Sequence, residues 1–207
     1  MAKRFILLVL GAALAAGAFV SPVFAQERHG HDWIEPPKEL PKAQRGDRTP
    51  SLDTLFQALK IAPDDSSAKA IEDRIWTLWI SSGSDTCNLL MSRVKSATDS
   101  KDYDLAIKLL DAVIEIKPDY VEAWNRRATV YYMKKDFAHS LSDIRQVLSR
   151  EPRHFGALAG LGLILQDIGD DKHALEAYRR ALAVHPHLSH IPDVVKTLTE
   201  KVEGRDI

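Results

Sequence analysis

Residues 121–152 read VEAWNRRATVYYMKKDFAHSLSDIRQVLSREP, and the chain on either side repeats their plan. The closing Pro152 has counterparts at Pro118 and Pro186, each 34 residues away. Stepping back from the three prolines by equal offsets aligns residues 87–118, 121–152 and 155–186. Small residues then share one column as Ala106, Ser140 and Ala174, followed at once by Ile107, Leu141 and Leu175. Further columns hold Leu110, Ile144 and Tyr178, then Val113, Val147 and Ala181. A fixed period of this length marks a stacked-repeat architecture, in which each unit buries its apolar face against the next.

Within a unit the apolar residues fall at helical spacing. Leu89, Leu90, Val94 and Ala97 line a first helix, and Leu105, Ile107, Leu109, Leu110, Val113, Ile114 and Ile116 dominate a second. Polar breaks separate the two: Ser100-Lys101-Asp102-Tyr103, Lys134-Lys135-Asp136-Phe137 and Gly169-Asp170-Asp171-Lys172. Each proline falls just past a second helix, where it cannot donate to the ladder and restricts the residue before it. After Pro118, Asp119 is placed to cap the next helix, with Glu122 three residues on in a capping-box arrangement. A single helical hairpin cannot bury its own apolar face, and about three stacked hairpins are the stable minimum.

These residues resemble the tetratricopeptide repeat (TPR) family. The middle unit matches best, with Trp124, Ala128 and Tyr131, then Ser140, Ile144, Val147 and Pro152. The third carries Leu158, Leu161, Gly162, Leu165, Gly169, Ala174, Tyr178, Ala181 and Pro186; the first is weaker, with Leu90, Arg93, Val94 and Ala97. Arg93 and Arg127 stand where the family usually has Leu, so packing there is expected to be looser or salt-bridged. The resemblance covers about half the chain and implies an all-α fold: a TPR-type helical-hairpin solenoid of three TPR units over 84–188. An N-terminal helical pair over 51–83 and a C-terminal capping helix within 189–207 complete it.

The flanks are read from their own patterns. Lys3 and Arg4, an apolar run from Phe5 to Val20, and Val23-Phe24-Ala25 before Gln26 read as a secretory signal peptide over 1–25, cleaved after Ala25. The alternative is a retained anchor, but the run is shorter than the roughly 20 residues a span needs. The residue directly after the cleavage site is Gln26 and not a cysteine, which excludes lipid attachment there. Residues 26–50 hold Pro36, Pro37, Pro41 and Pro50 and read as a flexible Pro-rich arm, with Trp33 and Ile34 as a possible docking motif. In 51–83, Leu52, Leu55, Phe56 and Leu59 share one helix face and Ile71, Ile75, Leu78 and Trp79 another, a degenerate hairpin capping the stack. Val194, Val195, Leu198 and Val202 give the closing helix its apolar side.

Composition narrows the function. Loss of Lys3 and Arg4 with the signal moves the formal charge from −1 to −3, which offers no basic stripe for nucleic acid. Cys87 is the sole cysteine and reads as a buried small residue. No phosphate loop, nucleophile elbow or paired His/Glu metalloprotease spacing is present, so the protein reads as a non-enzyme without a cofactor. The run Gly156-Ala157-Leu158-Ala159-Gly160-Leu161-Gly162 lies inside a repeat helix, where small residues let helices approach closely. His29 with His31, and His185, His187 and His190, are spaced for a transition metal but lack an evident carboxylate partner and read as solvent-exposed loop histidines. Arg153 and His154 open the third unit, where either caps a helix or meets a partner.

The family implies a concave face, lined by the first helix of each unit, that takes an extended peptide or a partner helix. The matching residues are Asn88, Met91 and Lys95; Glu122, Asn125, Thr129, Tyr132 and Met133; and Gly156, Ala159, Leu163, Gln166 and Asp167. Met91, Lys95, Asn125, Thr129, Tyr132, Ala159, Leu163 and Gln166 form the expected partner-binding groove. Family members that clamp a chaperone's C-terminal carboxylate place Lys one turn before Asn. Here the pairs are Met91/Lys95, Asn125/Thr129 and Ala159/Leu163, so that clamp is missing. The overall plan also resembles small periplasmic TPR proteins of Gram-negative bacteria linked to cell-envelope integrity. The resulting expectation is a periplasmic protein-protein interaction scaffold with a protein or peptide ligand in its groove and no membrane span after cleavage. A metal- or haem-handling assembly factor of the cytochrome maturation type is the alternative. A hydrolase with a dispersed site is a third reading, without a motif.

Overall fold

The computed structural model describes residues 51–204, which are helical throughout, without a strand. The segments read as a signal peptide and as an arm, with His29, His31, Trp33 and Ile34, and the last three residues lie outside that range. In chain order the helices are α1 (Leu52–Lys60), α2 (Asp65–Ile80), α3 (Asp85–Asp99), α4 (Tyr103–Ile116), α5 (Val121–Met133), α6 (Phe137–Arg150), α7 (Phe155–Asp167), α8 (Asp171–Val184) and α9 (Ile191–Val202). The three hairpins α3–α4, α5–α6 and α7–α8 stack in sequence order, and α9 closes the stack against α8.

The same turn is built three times. Each first helix ends in a left-handed residue, Lys101 (φ 61°), Lys135 (φ 62°) or Gly169 (φ 84°). The next residue's N–H reaches back to Ala97, Tyr131 or Leu165, and its carboxylate caps the second helix: Asp102, Asp136 and Asp170 accept from Leu105, His139 and His173. One Asp thus satisfies orphan groups of both helices, which is why the polar breaks recur in register. The residues before the three prolines, Lys117, Glu151 and His185, all lie outside the α region (ψ 79–91°), as an X-Pro step demands.

Two local expectations change. The N-cap of α5 is Tyr120 without a side-chain bond, not Asp119. Glu122 cannot reach back to complete a capping box, because it is turned inward and held by Asn125 and Arg126. Arg127, in the usual Leu position, is salt-bridged: it grips Asp143 with two bonds of 2.8 Å and Asp111 with a third of 2.6 Å, and lies over the Trp124 ring. The glycine run behaves as read. A Cβ at Gly162 would stand 2.6 Å from the Tyr178 ring, so only glycine lets α7 and α8 pack this closely. Cys87 is fully buried.

The N-terminal pair departs most from sequence order. It does not stack on α3 as a preceding repeat would. α1 packs on α8, and α2 lies against α5 and the start of α7. Leu55, Phe56, Leu59, Ile75, Trp76 and Trp79 share one core with Phe155, Leu158, Tyr178, Ile191 and Leu198. Trp76 was not among the face residues expected for α2. A single helical stripe accounts for Ile75 and Trp79, but α2 is buried on more than one side, and Trp76 fills the second.

Candidate functional site

The concave face is half closed by the chain itself. A Cβ on Gly156 would come within 3.2 Å of the Trp76 ring, and Trp79 stacks on His154, the N-cap of α7. Beneath α2, Glu122 and Ala159 have no exposed surface and Asn125 keeps 2 %. The Glu122 carboxylate accepts from Asn125 Nδ2 and Arg126 Nε, both at 3.1 Å, with His154 Nε2 at 3.6 Å. His154 Nδ1 accepts the Ala157 N–H at 3.1 Å, so the ring proton sits on Nε2, facing Glu122. A buried carboxylate is tolerable only with such partners.

This closure is not a loosely held flap. Burying six large apolar side chains of α1 and α2 at ~1.5–3 kcal/mol each contributes on the order of 10 kcal/mol. The concave face therefore has to be read with α2 in place.

Of the eight expected groove residues, four are buried within the chain: Met91, Asn125, Tyr132 and Ala159. The Tyr132 hydroxyl donates to Asp167 at 2.9 Å, and burial together with this bond pushes its pKa up. The other four reach the surface. Lys95 and Gln166 are exposed, Thr129 and Leu163 half-buried. With Met133 and Asp167 they form an open strip along the far halves of α3, α5 and α7. Lys95 pairs with Asp99 at 2.6 Å, and Lys135 lies 3.6 Å from Asp167. The strip thus offers an apolar centre, Met133 and Leu163, between charged ends.

The histidines after the last repeat are not all exposed loop residues. His185 is buried, and its Nε2 lies 3.2 Å from the Glu72 carboxylate; burial pushes that carboxyl up, but the His185 bond and the Lys69 charge outweigh it and hold it low. His187 bonds Asp65 through Nδ1 at 2.6 Å and the Ala62 carbonyl through Nε2 at 3.0 Å. Both carboxylates come from α2, which is why the sequence around 185–190 gave no sign of them. His190 is exposed and starts α9 in a left-handed conformation. Among the described residues no three His, Cys, Asp or Glu side chains are grouped to hold a metal, and no helix is long and apolar enough to cross a membrane. A cleft of about 490 Å³ between α2 and this loop is lined by Lys69, His187 and His190 together with Asp65, Glu72 and Asp193.

Comparison with known proteins places this geometry. Residues 92–143 and 136–188 match the tetratricopeptide repeat model. A TPR repeat-containing protein of Rhizobium etli is 42 % identical over 74 % of this chain and 75 % of its own length. Small glutamine-rich tetratricopeptide repeat-containing protein 2 of Saccharomyces cerevisiae is 28 % identical, but the match spans only 25 % of that protein. Among solved structures, the first TPR of Spaghetti (RPAP3), bound to an HSP90 peptide, superposes with a TM-score of 0.55 at 18 % identity, over 58 % of this chain and 95 % of that one. MamA does so at 0.53 and 17 %, over 74 % and 81 %. At such identities the likeness is one of fold.

Proposed function

The chain belongs to the tetratricopeptide repeat family, and from that membership we propose that it is a non-catalytic scaffold that receives a segment of another protein on the open strip of its concave face. Proteins of this family are generally scaffolds rather than enzymes. The observation that carries the reading is the division of the face. α2 seals the starts of α5 and α7, and Lys95, Thr129, Met133, Leu163, Gln166 and Asp167 remain accessible. Met133 and Leu163 suit one apolar side chain of a ligand, while the amide and hydroxyl groups suit its backbone. The Spaghetti structure holds a peptide of HSP90. The Lys and Asn of a carboxylate clamp are not paired here, and Asn125 is occupied by Glu122, so the ligand is read along its length rather than by its terminus.

The compartment belongs to the same proposal. Lys3-Arg4, the apolar run to Val20 and the small-residue site at Ala25 support export to the periplasm, and a role in cell-envelope integrity follows from the kind of protein the plan resembles. The test places a photo-crosslinking residue at Met133 in cells, with a control on the outer face at Arg145. The expected result is a protein captured from Met133 alone and lost with Leu163→Arg. The same proteins captured from both positions, or none from Met133, would sink the reading. Amino-terminal sequencing of the protein from a periplasmic fraction tests the compartment separately, with Gln26 as the expected first residue.

A further inference from the structure

The two ends of the stack are finished differently. α9 covers α8 at one end, with Ile191 and Leu198 in the core. At the other end no described helix stacks on α3 as a preceding repeat, because α1–α2 has been taken across the concave face. Columns buried in later units surface there. Ala123 and Ala157 are covered, whereas their counterpart Leu89 is 58 % exposed. Val130 and Ile164 are covered, and their counterpart is the exposed Ser96. Serine suits a solvated end of a repeat stack and leucine does not.

In the same hairpin α4 carries Leu105, Leu109, Ala112 and Ile116 in one stripe. Leu105 is 44 % and Ile116 51 % exposed, while Leu109 and Ala112 between them are half-buried, Leu109 against the core of its own hairpin. The equivalent stripe of α6 is His139, Asp143, Gln146 and Arg150, polar throughout. Alternating steps of four and three residues are the a/d seam of a coiled coil. Lys108 and Glu115 flank that seam on one side, a heptad apart, at positions that pair across antiparallel helices. Both are exposed and neither is in an ion pair within 4.0 Å among the described residues.

We propose that α4 is a self-association surface on which a second copy of the chain docks antiparallel about a two-fold axis. Leu105 of one copy then faces Ile116 of the other, and Leu109 faces Ala112. Lys108 opposes Glu115 of the other copy, and symmetry makes that pair twice. A parallel arrangement would set both charges opposite the uncharged Ala106 and Val113 positions and leave them unpaired, so the charges favour the antiparallel one. A two-fold contact closes after two copies. The seam is only two heptads long, so the dimer is weak and reversible. α4 takes no part in the concave strip, so this surface and that reading stand or fall separately.

Sedimentation velocity of the purified protein over a concentration series tests it. The expected result is a monomer that shifts to dimer as concentration rises. Lys108→Glu and Glu115→Lys should each weaken association about tenfold, and the double swap should restore it. Ile116→Lys should abolish it, with circular dichroism confirming that each variant is folded. A monomer at every concentration overturns the proposal. So does a dimer indifferent to the charge swaps, or one that forms only after residues 26–50 are removed, since that segment would then be the occupant of α4.

Discussion

The Trp79 indole lies flat on the His154 imidazole, ring centroids 4.0 Å apart and planes 7° from parallel. Trp79 belongs to α2 and His154 caps α7, so this stack is one of the contacts joining the N-terminal pair to the third repeat. Trp76 meets the same imidazole edge-on at 5.6 Å. The ring cannot move away without releasing the Ala157 N–H from its Nδ1. Closure of the concave face and capping of α7 therefore rest on the same side chain.

Trp79→Ala removes the stack from a nearly sealed site. Large-to-small changes of a buried aromatic cost about 3–5 kcal/mol. Urea unfolding should show a loss in that range, and a loss below ~1 kcal/mol would mean that α2 is not seated on α7 in solution.

Arg127→Leu restores the residue usual for the family and should nonetheless destabilise. It leaves Asp143, 4 % exposed, as a buried carboxylate without its cation, at a cost of about 3 kcal/mol. Changing Asp143 to Leu as well should recover most of that loss, because a buried ion pair is replaceable by packed apolar groups. A double variant no more stable than the single one would show that the pair is not the reason Arg127 is tolerated.

The left-handed turn residues give opposite signs. Lys101 sits at φ 61°, a conformation costing a side chain about 1–2 kcal/mol, so Lys101→Gly should stabilise by roughly 0.5 kcal/mol after the added chain entropy of glycine. Gly169→Ala forces a Cβ into φ 84° and should destabilise by about 1 kcal/mol. Thermal melts of the two variants moving in the same direction would contradict the turn geometry.

His187 sets a pH dependence. Both of its ring nitrogens face acceptors, Asp65 and the Ala62 carbonyl, which only the protonated ring can satisfy together. The Asp65 hydrogen bond raises its pKa above the ordinary 6.5, against a smaller opposing effect of desolvation. A raised folded-state pKa contributes stability that is fully present below the unfolded value near 6.5 and is lost as pH climbs through the folded value. The stability gap between the protein and His187→Gln should be widest at mildly acidic pH and narrow toward alkaline pH. A gap constant across that range would show that the ring is not the charged clasp between the α8–α9 loop and α2. The capping carboxylates Asp136 and Asp170 run the other way: their pKa values are lowered, and what they contribute is lost only as pH falls below the ordinary carboxylate range.

The three hairpins, their turns and the closing helix were legible in the chain because each depends on neighbours a few residues apart. Pro118, Pro152 and Pro186 end helices by local sterics, and Asp102, Asp136 and Asp170 cap them through bonds to the third residue on. The family resemblance also named residues of each first helix expected to line the concave face. It did not reveal what lies on that face. Trp76 and Trp79 meet His154, and Glu72 meets His185, across gaps in sequence far longer than one repeat, and such pairings obey no spacing rule. Met91, Asn125, Tyr132 and Ala159 therefore read as groove residues in sequence, yet are buried, and only the packing of α2 and the neighbouring helices decides that. Local chemistry fixed the repeats; the return of the N-terminal pair across them, driven by apolar burial between distant segments, decided how much of the concave face is left to bind.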